Sequence, residues 1–298
     1  MANTSQAKSD SPFEHLLKQH PCFNGEAHAT NGRIHLPVSP VCNIQCRFCQ
    51  RGFNKVENRP GVSRRILTPQ EAVETVERAL KLCPEIKVAG IAGPGDTLAT
   101  DHAIEAFRLI HERFPQLINC LSTNGLLLAE KAGRLLTAGV RTVTVTVNAV
   151  EPAILQQICS HVYVDGIAIT GEFAARTLIN AQLAGIREAA RLKLTVKINM
   201  VLIPGVNVGH VEEVARTCAA AGATLINLIP LIPQHQLAEH QVPTCRELES
   251  ARAEAERHLT VFRHCRQCRA DACGIPGGKD VAEQLYEGPM AETTFSHG

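Results

Sequence analysis

The chain lacks an excess of charge of either sign: 30 Lys and Arg stand against 29 Asp and Glu, a net charge of +1. That balance excludes a general electrostatic grip on nucleic acid or on an anionic membrane. No run approaches the ~18 uninterrupted apolar residues that a spanning helix needs. The first eleven residues, Met1 to Ser11, are polar and carry no apolar stretch of the secretory-signal kind, so a cytoplasmic location is expected. There is no internal repeat. What remains is a globular composition, 45% hydrophobic and 20% charged over 298 residues, a length that suits one domain with appendages.

Twelve cysteines stand out against this background. Disulfide frameworks belong to small exported domains, and this chain is neither small nor visibly exported. Cys83, Cys120, Cys159, Cys218 and Cys245 stand alone, and each read singly is a small buried hydrophobe. Two tight groups, Cys42–Cys46–Cys49 and Cys265–Cys268–Cys273, read first as metal ligands in a reducing compartment.

The hydrophobic pattern alternates strands and helices. Strands are expected at 33–39, 86–92, 117–121, 142–148, 194–202 and 225–229, with 142–148 the clearest because it is β-branched. Helices are expected from Pro69 to Leu82, capped by Thr68 and Glu71, and over 101–114, up to Ala138, and over 172–191, 211–221 and 245–258. A short helix is expected near 13–18. Six strands alternating with helices imply an α/β fold with a parallel sheet, too few strands for a closed eight-stranded barrel and suited to a partial (β/α)6 barrel. The expected organisation is a flexible arm over 1–19, a core domain over 20–240, and a C-terminal helix and cluster-binding tail over 241–298 that helps to close the barrel mouth. Gly-rich and polar turns follow the strands at 92–96, 122–125, 148 and 203–207, where such folds gather their chemistry.

Cys42-x3-Cys46-x2-Cys49 lies just after the first expected strand. Three thiolates so spaced hold three irons of a four-iron cluster and leave the fourth open. Twelve cysteines scattered at random over 298 positions give roughly 0.02 such patterns per chain. The competing readings are a zinc site, which usually wants four ligands, and accident.

In this position the motif resembles the radical SAM superfamily, in which the open iron chelates S-adenosylmethionine (SAM) and one electron cleaves the sulfonium. The resemblance assigns SAM contacts to Gly93, Pro94, Gly95 and Asp96 after the second strand and to Ser122, Thr123 and Asn124 after the third. It assigns further contacts to Asn148 after the fourth strand, and to Ile203, Pro204, Gly205 and Val206 beside the adenine.

Further stretches narrow the resemblance to the NifB family of nitrogenase cofactor maturases. They are His20-Pro21-Cys22, Ala27-His28, the run from Pro40 to Cys46, Glu57-Asn58-Arg59-Pro60-Gly61-Val62, and the tail from Arg263 to Ala272. This likeness runs from about residue 20 to 278. It implies two further four-iron clusters as substrates, fused with a methyl-derived carbide and an added sulfur into an eight-iron precursor. It assigns Cys22, Cys265 and Cys268 to one substrate cluster, with Cys273 a spare. The other falls to Cys120 and an N-terminal histidine, with His20, His28 and His35 as candidates; the family's third ligand position is Asn54 here, a poor cluster ligand. Glu57 matches a carboxylate near the reaction centre that accepts protons, or else simply pairs with Arg59 or Arg64.

The resemblance also implies partners: a cluster donor, cofactor carrier or scaffold proteins, and an electron donor such as a ferredoxin or flavodoxin. Two alternatives stay open. One is a radical SAM enzyme for an organic substrate, similar to the molybdenum-cofactor cyclase, with one auxiliary cluster. The other is an inactive iron–sulfur carrier, for which Asn54 is the argument.

Overall fold

The computed structural model describes residues 14–286 and 296–297. Six parallel strands stand in sequence order: β1 (Gly32–His35), β2 (Ile86–Ile91), β3 (Ile118–Thr123), β4 (Val140–Thr146), β5 (Thr195–Leu202) and β6 (Leu225–Pro230). Two-residue strands extend both edges: β7 (Thr260–Val261) runs parallel to β6, and β8 (Cys273–Gly274) runs antiparallel to β1. Strands that neighbour each other in sequence order, each followed by a crossover, form the singly wound sheet of a partial barrel. The expected fold is therefore the observed one, with the two edge strands added.

β1 is shorter than the expected 33–39. Pro37 has no N–H to donate to a ladder, and the chain leaves the sheet there, with Ser39 making one isolated bridge to Pro94. The helices are α1 (Pro69–Leu82), α2 (His102–Arg113), α3 (Leu128–Thr137), α4 (Gly171–Arg191), α5 (Val211–Ala221) and α6 (Cys245–Ala255). The capping box at Thr68 is present: its hydroxyl accepts from Glu71 N at 3.2 Å, and the Glu71 carboxylate accepts from Thr68 N at 2.8 Å. Most of the expected arm lies outside the described residues; Glu14–Leu17 forms one helical turn.

The main core lies between sheet and helices, around Ile34, Ile91, Phe107, Leu121, Val143 and Ile198. A smaller core collects Ile44, Leu155, Ile158, Val162, Leu178 and Ile203. Over it lies a three-stranded sheet formed by Ile44–Cys46, Cys159–Val164 and Ile167–Thr170. Sequence reasoning missed this sheet. Its signal was Asp165-Gly166 between two apolar stretches: both residues have positive φ, 50° and 76°, as a tight hairpin turn requires. No helix among the described residues is long and apolar enough to cross a membrane.

Candidate functional site

The ends of the strands carry two adjoining cavities. The smaller, about 170 Å³, is lined by Cys42, Cys46 and Cys49 together with Asp96, Asn124 and Asn148. The side sheet sets the cysteine loop: Ile44–Cys46 pairs with Cys159–Val164, and Cys49 N closes a turn onto Cys46 O at 3.0 Å. Gln45 Nε2 ties the loop by donating to the carbonyls of Cys46 at 2.8 Å and Cys49 at 3.0 Å. Burial pushes the Cys42 thiol up to about 12, helped by the nearby Asp96 charge. Burial also raises Cys46 well above an ordinary thiol, reinforced by Cys159, Cys49 and Cys42, and it raises Cys49.

The Gly-Pro-Gly-Asp turn is built by close approach. Gly95 N donates to Ser39 O at 2.6 Å, and a Cβ there would stand 2.1 Å from Val41 O, so only glycine fits. Asp96 is buried, which raises its carboxyl, and that carboxylate accepts from Leu98 N at 2.9 Å, Thr123 Oγ1 at 3.0 Å and Asn124 N at 2.5 Å. Asn124 Nδ2 in turn donates to Asn43 Oδ1 at 2.7 Å. Turns after β2 and β3 are thereby locked to the cysteine loop. Asn148 Oδ1 accepts from Val201 N at 2.9 Å, joining the ends of β4 and β5. Ile203, Pro204, Gly205 and Val206 line neither cavity; Ile203 and Val206 pack in the smaller core, against which Cys42 and Cys46 also rest.

The larger cavity, about 320 Å³, brings together Cys22, Cys120, Cys265 and Cys268, which come from both ends of the chain and from β3. Ser122 lines it as well. Burial holds the Cys22 thiol up at about 12 and raises Cys120. His20, His28 and His35 share the wall. Their hydrogen bonds assign their tautomers, since a carbonyl only accepts. His28 Nδ1 lies 2.7 Å from Pro21 O and His35 Nδ1 lies 3.0 Å from Arg269 O, so each donates through Nδ1 and keeps its lone pair on Nε2. His20 Nδ1 instead accepts from Cys22 N at 3.1 Å, which puts its proton on Nε2. The Nε2 atoms of His20 and His28 are buried with no hydrogen-bond partner.

Gly93 and Thr123 belong to the turns beside the smaller cavity without lining it, and Cys273, Glu57 and Asn54 sit elsewhere. Cys273 is buried on β8 in the main core, in register with Ile34 of β1. Glu57 and Asn54 line neither cavity. The Glu57 carboxylate is paired with Arg59 at 3.0 Å, and this pairing, with the Asn54 amide, holds it below the usual carboxylate range. Residues that sequence reasoning did not single out also line the cavities: Cys159 the smaller, Arg33 and Lys197 the larger. Only assembly of the barrel, with side chains alternating in and out along β1 and β5, puts these cations inside.

Comparisons with known proteins agree with this geometry. The radical SAM superfamily matches residues 36–218. The FeMo cofactor biosynthesis protein NifB of Methanocaldococcus infernus is 46% identical over 279 residues, 93% of this chain and 92% of that protein. The protein of the same name from Klebsiella pneumoniae is 41% identical over 282 residues, 92% of this chain but 60% of the longer relative. The chain belongs to the NifB family of radical SAM proteins. Two solved structures share its fold. SuiB of Streptococcus suis bound to S-adenosylmethionine superposes with a TM-score of 0.57 at 12% identity, covering 80% of this chain and 52% of that one. Methylornithine synthase superposes with a TM-score of 0.54 at 13% identity, covering 83% and 67%.

Membership in the NifB family implies a four-iron cluster and SAM. The donor set of the smaller cavity fits such a cluster: three half-buried cysteines, with Arg51 on the same lining to offset negative charge, are the soft set that an iron centre turns into thiolates.

Proposed function

We propose that this chain joins two four-iron clusters into the eight-iron precursor of the nitrogenase cofactor, adding a carbide from SAM and one sulfur. The larger cavity carries this reading: Cys22, Cys120, Cys265 and Cys268, beside the shared Cys49, and three histidines face a space whose lining has no carboxylate, adjoining the three-cysteine cavity. Soft donors in a cationic wall suit an anionic iron–sulfur substrate better than an organic one.

Bound at Cys42, Cys46 and Cys49, a cluster with one open iron supplies the electron that cleaves SAM. The chain's own groups do the rest. The turn at Gly93–Asp96, with Asn124 and Asn148, receives SAM, with Asp96 held as a buried acceptor. Cys22, Cys265 and Cys268 hold one substrate cluster, and Cys120 with His28 or His35 holds the other. A first SAM would give its methyl to a sulfide of the substrate and leave as S-adenosylhomocysteine, and the 5′-deoxyadenosyl radical cleaved from a second would take a hydrogen atom from that methyl and leave as 5′-deoxyadenosine. Glu57, paired with Arg59 of the larger cavity's lining, is the expected acceptor of a proton from that carbon once that pair opens, and a wall histidine or solvent is the alternative. A cluster donor, a carrier or scaffold that takes the product, and a ferredoxin- or flavodoxin-like electron donor complete the cycle, in the cytoplasm.

The decisive test supplies purified chain, iron, sulfide and SAM to an extract lacking NifB. Cofactor assembly is expected. The Cys265→Ala/Cys268→Ala chain should still release 5′-deoxyadenosine and yield no eight-iron product. Formation of active precursor by that variant would refute the substrate-site assignment, and retained SAM cleavage by Cys46→Ala would refute the radical chemistry.

A further inference from the structure

Lys197 lies near the middle of β5, in register with Thr144 on β4 and Leu225 on β6, and its side chain points into the larger cavity. The residue is only 5% exposed. Its ammonium donates to Cys22 O at 2.8 Å and rests 4.6 Å from the Phe23 ring and 5.4 Å from the Phe262 ring. One carbonyl and two ring faces orient a cation without neutralising it. Among the described residues, no carboxylate comes within salt-bridge distance of Lys197.

Arg33 on β1 is its counterpart across the cavity wall. It is 6% exposed, donates through Nη2 to Cys268 Sγ and through Nη1 to Gly274 O, both at 2.8 Å, and leaves Nε buried without a partner. It too meets no carboxylate among the described residues. Arg59 and Arg266 add to the same lining, where no Asp or Glu stands. Elsewhere this fold pairs its buried cations: Arg64 and Arg269 both meet the buried Asp271. Burying a charge unpaired is costly, so two such cations facing one space imply that the missing anion is the occupant.

We propose that Lys197, supported by Arg33, is the counter-charge that retains the anionic sulfur-rich substrate, acting as a positioning residue rather than a ligand. This rests on the proposed function. It adds that retention depends on charge as well as on thiolates. Thiolate-held clusters carry net negative charge, and these two cations offset it from beside the ligating cysteines, Arg33 at Cys268 and Lys197 at Cys22.

The test compares iron retained after anaerobic desalting in the wild-type chain, Lys197→Met, Lys197→Arg and the Cys265→Ala/Cys268→Ala chain. Lys197→Met keeps the stem and its packing and removes the charge. Iron beyond the four of the resident cluster is expected to fall about fivefold or more in Lys197→Met and to be restored in Lys197→Arg. Melting of the iron-free chains reports any structural loss; if Lys197→Met does not fold, Lys197→Gln, which keeps a donor for Cys22 O, is read in the same way. Equal retention by wild type and the neutral variant overturns the counter-charge alone, as does a failure of Lys197→Arg to restore it. A wild type that retains no more iron than the double cysteine variant overturns the proposed function as well.

Discussion

The Asn54 side chain closes a turn on Glu57: its Nδ2 donates to Glu57 Oε2 at 2.5 Å, while its Oδ1 accepts from Glu57 N at 2.8 Å and Val56 N at 3.1 Å. An asparagine so occupied is a loop former, and it faces its own loop rather than the larger cavity. Asn54→Cys is therefore expected to add no iron and no new EPR signal under identical reconstitution. A gain of either would show that this loop swings over to the substrate and that position 54 is a vacant ligand site.

Gly95 and Gly205 separate two uses of glycine. A Cβ at Gly95 meets backbone at 2.1 Å, whereas at Gly205 (φ +75°) it meets nothing within 4 Å. Gly95→Ala should cost more than ~3 kcal/mol and abolish SAM binding, because the turn must move away from Val41. Gly205→Ala should cost about 1 kcal/mol, from its left-handed backbone alone. Thermal melts with equilibrium dialysis of SAM check both, and similar losses in the two variants would contradict the packing argument.

The three cavity histidines make a prediction that differs atom by atom. Only His28 and His35 keep a lone pair on Nε2, so on the proposed function one of them is the expected imidazole ligand. Pulsed EPR on the reconstituted chain should show a nitrogen coupling that vanishes in either His28→Ala or His35→Ala and persists in His20→Ala. Loss confined to His20→Ala would mean that its tautomer switches on binding.

Asp101 links α2 to α3, with Arg134 and Lys131 both at 2.9 Å. The hydrogen bond from Arg134, then that from Lys131, holds its carboxyl down at about 2 against an ordinary 3.8. A depressed carboxyl stabilises the fold above its unfolded value, and that contribution fades as pH falls from 3.8 towards 2. Its side chain is 56% exposed, so screening keeps the effect below about 1 kcal/mol. Asp101→Asn should lower stability by that much at pH 7 and by nothing near pH 2, as read from urea melts. A constant difference across the range would place the effect in packing rather than charge.

The repeating elements were legible in the sequence because each carries local chemistry: the Thr68 capping box, the β-branched run that became β4, and the three-cysteine spacing. Cavity walls were not, because they depend on which residues the closed sheet turns inward. Lys197 reads as an ordinary strand-face lysine until Phe23 and Phe262, from opposite ends of the chain, close over it. Glu57 was drawn to the reaction centre by its motif, yet Arg59 two residues on claims its carboxylate. The turn at 203–206 was placed beside the adenine by the resemblance; Ile203 and Val206 pack in the smaller core, against which Cys42 and Cys46 also rest.

Phe48, Cys49, Pro94 and Thr146 line both cavities, so one layer of side chains is a wall of two rooms. A substitution in that partition is never a single-site change, because it reshapes both rooms at once; on the proposed function, affinity for SAM and capacity for the substrate are expected to shift together. Anyone wishing to re-engineer one specificity without the other must begin from residues that see only one side, such as Leu178 behind the smaller cavity or Asn227 in the larger. The same sharing limits natural drift: a partition residue is free to vary only in ways that both neighbours tolerate.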